Sequence, residues 1–82
     1  MAFTCTDKDM KRVVRIMRRD GAKVVREKSG TYTADGTILG GFVEFEAVPN
    51  GRGLYVITAP ASSMRWFTDP RSMYYIGRYG SI

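Results

Sequence analysis

The sequence predicts an α+β domain: an N-terminal amphipathic helix packed on a small, mainly antiparallel sheet of four to five strands, with a short C-terminal helix. Three observations carry that expectation. Met10, Val13, Val14 and Met17 recur at i, i+3, i+4 and i+7. Beyond residue 22 the chain alternates apolar and polar residues between Gly, Asn and Asp turn signals. Asp69-Pro70 has the form of a helix start, with Asp at the N-cap and Pro at the first helical position. The 82 residues suffice for a single domain, 1–82, with one modest core, and an apolar fraction of 44% is too high for a disordered chain.

The helix is expected over 7–20. Thr6 with Asp9 three residues on has the spacing of a capping box, Arg18 and Arg19 lie on the negative end of the helix dipole, and Gly21 suits the position just past the end. Strands follow at 22–28, 31–33 and 37–39, with a turn at Ala34-Asp35-Gly36. Gly40-Gly41 reads as a bulge or sharp bend. Segments 42–48 and 54–58 form the clearest hairpin, because Asn50-Gly51 supplies the positive φ its turn needs. In its first strand Val43, Phe45 and Ala47 share one face and Glu44 and Glu46 the other. Its second strand is apolar on both faces, which predicts a central position. Residues 62–68 fit a helical turn or a strand, too short for periodicity to decide, and the C-terminal helix is placed at 70–76.

Charge is unevenly distributed. Residues 1–28 hold nine bases, Lys8, Lys11, Arg12, Arg15, Arg18, Arg19, Lys23, Arg26 and Lys28, against four acids, while the other 54 residues hold four of each sign. On a helical wheel with Met10 at zero, the apolar wall spans roughly 300° to 40° and the six helical bases fall between roughly 80° and 200°, with no acid among them. Lys and Arg are good helix formers and a solvated face accounts for charge as such. Mixed signs are the norm on such a face, however, since like charges three and four apart repel by about 0.2–0.5 kcal/mol per pair. A cationic stripe that repels itself points to a polyanionic partner. These nine bases are accordingly the candidate contacts for nucleic acid or an acidic protein.

On DNA or RNA the helix would grip phosphate with weak sequence preference, because it offers no Asn, Gln or Ser to read bases. Four to six phosphate contacts predict a log–log salt slope of roughly −4 to −5 on duplex DNA. Arg65, Trp66, Tyr75, Arg78 and Tyr79 form a candidate secondary surface, since aromatics beside cations suit single-stranded nucleic acid. Against that, Trp66, Phe67 and one of Tyr74 and Tyr75 are needed to fill the core of so small a domain.

Catalysis is disfavoured. The chain has no histidine, which removes the usual general base and metal ligand, and one cysteine makes no zinc site, so neither a metal nor a cofactor is expected and no residue is assigned as catalytic. Cys5 near a helix N-terminus has some thiolate character available, but with no base to partner it a buried or idle thiol is favoured over a nucleophile. Glu44 and Glu46 are better explained as the charged face of an exposed edge than as a cation site. A histidine-free ribonuclease, with Lys or Arg beside Tyr or Glu, is the one catalytic alternative. The leading expectation is a non-enzymatic nucleic-acid-binding module. The alternative is a protein-interaction module, an inhibitor or adaptor of the kind that phage and other mobile elements encode. A homodimer through an edge strand or the aromatic segment would double the cationic surface. With a lone cysteine and no apolar run near the roughly 18 residues of a spanning helix, the expected setting is cytoplasmic, without a membrane.

Overall fold

The computed structural model describes residues 2–38 and 41–76. The elements run β1 (Ala2–Thr6), α1 (Asp7–Arg19), β2 (Val24–Arg26), β3 (Tyr32–Ile38), β4 (Gly41–Pro49), β5 (Leu54–Thr58) and α2 (Ala61–Thr68). The strands form one sheet in the order β1-β5-β4-β3-β2, with every neighbouring pair antiparallel. This is the α+β arrangement the sequence predicts.

α1 forms where its apolar spacing and its end signals agree. The Thr6 side chain accepts a hydrogen bond from the Asp9 amide at 3.2 Å, and Met10, Val13, Val14 and Met17 are all buried. At the other end Gly21 adopts a φ of 99°. Its amide donates to the Arg18 carbonyl at 3.2 Å and the Ala22 amide donates to the Met17 carbonyl at 2.9 Å, which is a Schellman closure. The helix joins the two edge strands. Its length, about 20 Å for 13 residues, is close to the roughly 19 Å that separates the edges of a five-stranded sheet.

Among the described residues only one face of the sheet is covered. Phe3, Cys5, Val24, Tyr32, Ala34, Val43, Phe45, Ala47, Tyr55 and Ile57 alternate onto it and are buried beneath both helices. Phe67 of α2 packs there against Phe45 at 5.1 Å and Phe3 at 6.3 Å between ring centroids. Large residues face small ones across β3 and β4, with Tyr32 opposite Ala47 and Ala34 opposite Phe45.

Several local expectations are corrected. β1 was not foreseen; it is a short edge strand whose Phe3 and Cys5 point inward. The turn expected at Ala34-Asp35-Gly36 does not form, and β3 runs straight through it. Folding back at Asp35-Gly36 would strip residues 42–45 of β4 of their partners, whereas the continuous strand pairs Asp35 with Glu44 and Gly36 with Val43. Of the predicted bend at Gly40-Gly41, Gly41 instead opens β4 opposite Ile38, while Leu39 and Gly40 lie outside the described residues. β5 is an interior strand, but the middle of the sheet is β4. The hairpin itself is as expected, with Gly51 at a φ of 80° and the Asn50 side chain accepting from the Arg52 amide at 2.9 Å.

The C-terminal helix lies earlier than 70–76, at Ala61–Thr68, and this resolves the ambiguous stretch. Asp69 serves as its C-cap residue, and 70–76 is a chain of turns in which Asp69 accepts from the Arg71 and Ser72 amides. The position of α2 has a tertiary cause. β5 pairs only with residues 46–49 of β4, so the earlier half of β4 has no strand beside it on that side. α2 takes that place. The Ser63 hydroxyl accepts from the Glu44 amide at 2.9 Å, and the Trp66 indole donates to the Phe42 carbonyl at 3.1 Å. Two side chains thus satisfy two of the backbone groups that a longer β5 would have taken.

Among the described residues no helix is long and apolar enough to cross a membrane. Removing the hydroxyl of Ser63, which is 1% exposed, would leave the Glu44 amide without its acceptor. Ser63→Ala is expected to cost about 1–3 kcal/mol in urea unfolding with an unchanged m-value, whereas Ser62→Ala on the exposed side of α2 is expected to cost nothing measurable.

Candidate functional site

The outer wall of α1 divides into two groups of bases. Lys8, Lys11, Arg15 and Arg19 are exposed. Lys8 and Arg15 make no ion pair or hydrogen bond among the described residues, Lys11 pairs with Asp7 at 3.0 Å between two solvated side chains, and Arg19 pairs with Asp20 at 3.3 Å. The solvated Lys11–Asp7 pair is weak and readily exchanged for another anion, whereas Asp20 is largely buried and only its Arg19 partner is exposed.

Arg12 and Arg18 are committed to the fold. The half-buried Arg12 donates from Nη2 to the Tyr75 carbonyl at 2.7 Å, with Asp9 3.8 Å away. Arg18 forks its Nε and Nη2 onto the Val24 carbonyl at 3.2 and 2.9 Å, tying the end of α1 to β2. Neither carbonyl carries a formal charge, so these bonds leave the positive charge in place while the side chains lose freedom to move, and Arg12 pairs in addition with Asp9. Of the remaining N-terminal bases, Lys23 and Lys28 are exposed in connections, and Arg26 lies 5.9 Å from the Tyr32 ring centroid at the β2 edge.

The opposite face of the sheet has the opposite sign. Register places Asp35, Glu44 and Glu46 on it together with Thr33, Thr58 and Val25, and among its described residues there is no Lys or Arg. Asp35 stands directly across from Glu44, an unfavourable like-charge pair. Glu44 and Glu46 therefore sit on the open face of the middle strand, not on an edge as the sequence suggested. With Thr33, Thr58 and Pro60 these acids line a shallow depression of about 500 Å³. Among the described residues no group of three or more His, Cys, Asp or Glu side chains is placed to hold a metal ion.

The predicted aromatic group separates. Phe67 and Tyr74 are fully buried core, Trp66 and Tyr75 are half-buried, and Arg65 is exposed on α2. Arg78 and Tyr79 lie outside the described residues. Phe42, 50% exposed, was not picked out as part of this surface, although its two-residue parity with Glu44 and Glu46 placed it on the outward face of its strand. Tyr74 donates its hydroxyl to the Asp20 carboxylate at 2.7 Å and meets the Trp66 ring edge-on at 5.5 Å, joining the end of α1 to α2.

Cys5 is the buried thiol that the sequence favours over a nucleophile. The side chain is fully buried, with its Sγ 4.0 Å from the Met10 Sδ, and burial, assisted by the charges of Asp9 and Asp7, pushes the thiol up to about 12. No family model matches the chain, and no curated protein or solved structure matches it either.

Burial, followed by the bond to Asp20, likewise pushes the Tyr74 phenol up to about 12. An acid that binds its proton more tightly in the folded chain contributes in full below its unfolded value and loses that contribution as pH rises towards the folded one. The urea midpoint is therefore expected to hold below the ordinary values of 9.0 for Cys5 and 10.0 for Tyr74, then fall as pH climbs towards 12, and Cys5→Ala and Tyr74→Phe should each flatten the decline. Native Cys5 should also resist iodoacetamide at pH 8 and react fully once unfolded.

Proposed function

We propose that this protein binds nucleic acid through the phosphate backbone, without catalysis, by presenting the outer wall of α1. The observation that supports this is segregation of charge by layer: Lys8, Lys11, Arg15 and Arg19 project from the helix, while the far face of the sheet holds only acids among its described charged residues. A molecule polarised in this way approaches a polyanion helix-first. The exposed Lys23 and Lys28, on either side of β2, add further positive charge. The stripe costs helix stability through self-repulsion, and phosphates with released counterions would offset that cost.

Base reading from the helix is weak in this scheme. None of the four outward groups is Asn or Gln, and Arg12 and Arg18, whose forks could address guanine, are engaged by the Tyr75 and Val24 carbonyls. The ribonuclease alternative loses ground on geometry. It needs a proton donor or acceptor converging with the bases, yet Glu44 and Glu46 face the other way, the Tyr74 phenol is bound to Asp20, and burial raises the Tyr55 phenol above its ordinary range.

Four outward contacts predict a log–log salt slope of about −3.6 on duplex DNA. Reversing Lys8, Lys11 and Arg15 to Glu is expected to reduce affinity for generic DNA or RNA at least about 100-fold in about 50 mM salt and to cut the slope to about −1. Unchanged binding by that variant, or no binding by the parent protein, overturns the proposal.

A further inference from the structure

Because α2 stands in for a strand beside the first half of β4, a groove of about 540 Å³ opens between the start of β4, α2 and the turn at 69–72. Its walls are Phe42, Trp66, Arg65, Arg71, Ser62 and Ser72. Two partly exposed aromatics lie there beside two arginines, and of the four Trp66 and Arg71 are held in place.

Trp66 is fixed on three sides. Its Nε1 donates to the Phe42 carbonyl, its edge rests on Tyr74, and its Cζ2 lies 3.1 Å from where a Cβ on Gly41 would stand, so the indole packs against bare backbone. What remains of its surface lines the groove beside the half-exposed Phe42. An aromatic platform so restrained loses little freedom when a second ring stacks on it. Arg71, 91% exposed, is oriented by two bonds of 3.3 Å to Asp69, whose carboxyl it holds below the usual range, and these two charges cancel. The Arg65 side chain makes no ion pair or hydrogen bond among the described residues and supplies the net positive charge of the groove.

We infer that the groove is a stacking subsite for one unpaired base of a single-stranded nucleic acid, with Arg65 on the adjoining phosphate. The inference rests on the proposed phosphate contact by α1, to which the groove is coupled through Tyr74 and Asp20. A duplex keeps its bases stacked inside and can meet only the helix, so the groove confers a preference for single strands. Stacking one base on an aromatic side chain is worth roughly five- to 100-fold in affinity.

Trp66 is the sole tryptophan, so its emission reports on the groove directly. The experiment titrates the full chain at low salt with DNA and RNA oligomers of about 12 nucleotides, within the usual site size, as single strands and as duplexes of the same sequence. Single strands are expected to quench the emission and to bind at least about fivefold more tightly than duplex, and Phe42→Ala and Arg65→Ala should each remove most of that margin while leaving duplex affinity unchanged. A response to only one of the two single strands identifies the sugar that the site accepts. Equal affinity for both forms, or unquenched emission, overturns the groove and leaves the helix contact standing. No binding of either form overturns both.

Discussion

Met10, Val13, Val14 and Met17 press into a sheet that the described residues cover on one side only, and most of the molecule's layout follows from that contact. With one layer of helix on one layer of sheet, every strand must send alternate residues to the same face, and the helix must turn its other wall to water. The bases of α1 are thereby driven outward, and the acids of β3 and β4, occupying the remaining parity, are driven to the opposite surface. Segregation of charge is thus a product of two periods, 3.6 on the helix and 2 on the strands, acting across one apolar seam.

The second constraint is the mismatch in length between β4 and β5. β4 has nine residues and β5 five, and two of the backbone groups left over are met by Ser63 and Trp66 from α2. An exposed edge within a sheet invites pairing with another chain, and filling it with a helix removes that hazard. The same substitution spreads β4 from the helix surface and leaves the groove that Phe42 and Trp66 line. A structural repair and a candidate binding feature therefore share the same residues.

The segment after α2 shows how polar groups stabilise a chain that has no regular structure. Tyr74 is fully buried yet bonded to Asp20, Arg12 holds the Tyr75 carbonyl, and the Ile76 amide donates to the Phe67 carbonyl. Two of the six helical bases are consequently spent on holding neighbouring segments in place. The interaction surface is narrower than the charge count implies, and its members are those whose side chains have no backbone carbonyl within reach.

What the sequence determined by itself was local. The span of α1, its Thr6 cap, the closure at Gly21 and the Asn50-Gly51 hairpin rest on groups within about five residues of each other, so short-range geometry suffices to specify them. The pairing of β1 with β5, the passage of β3 through Asp35-Gly36, and the choice of 61–68 over 70–76 for the last helix were decided only by the tertiary structure. Each depends on partners far along the chain: Phe3 opposite Ile57, Ala34 opposite Phe45, Ser63 on Glu44. The physical reason is that a turn signal such as Asp-Gly or a start signal such as Asp-Pro is worth little beside several backbone hydrogen bonds that would otherwise go unmade, and those bonds exist only once the sheet has assembled.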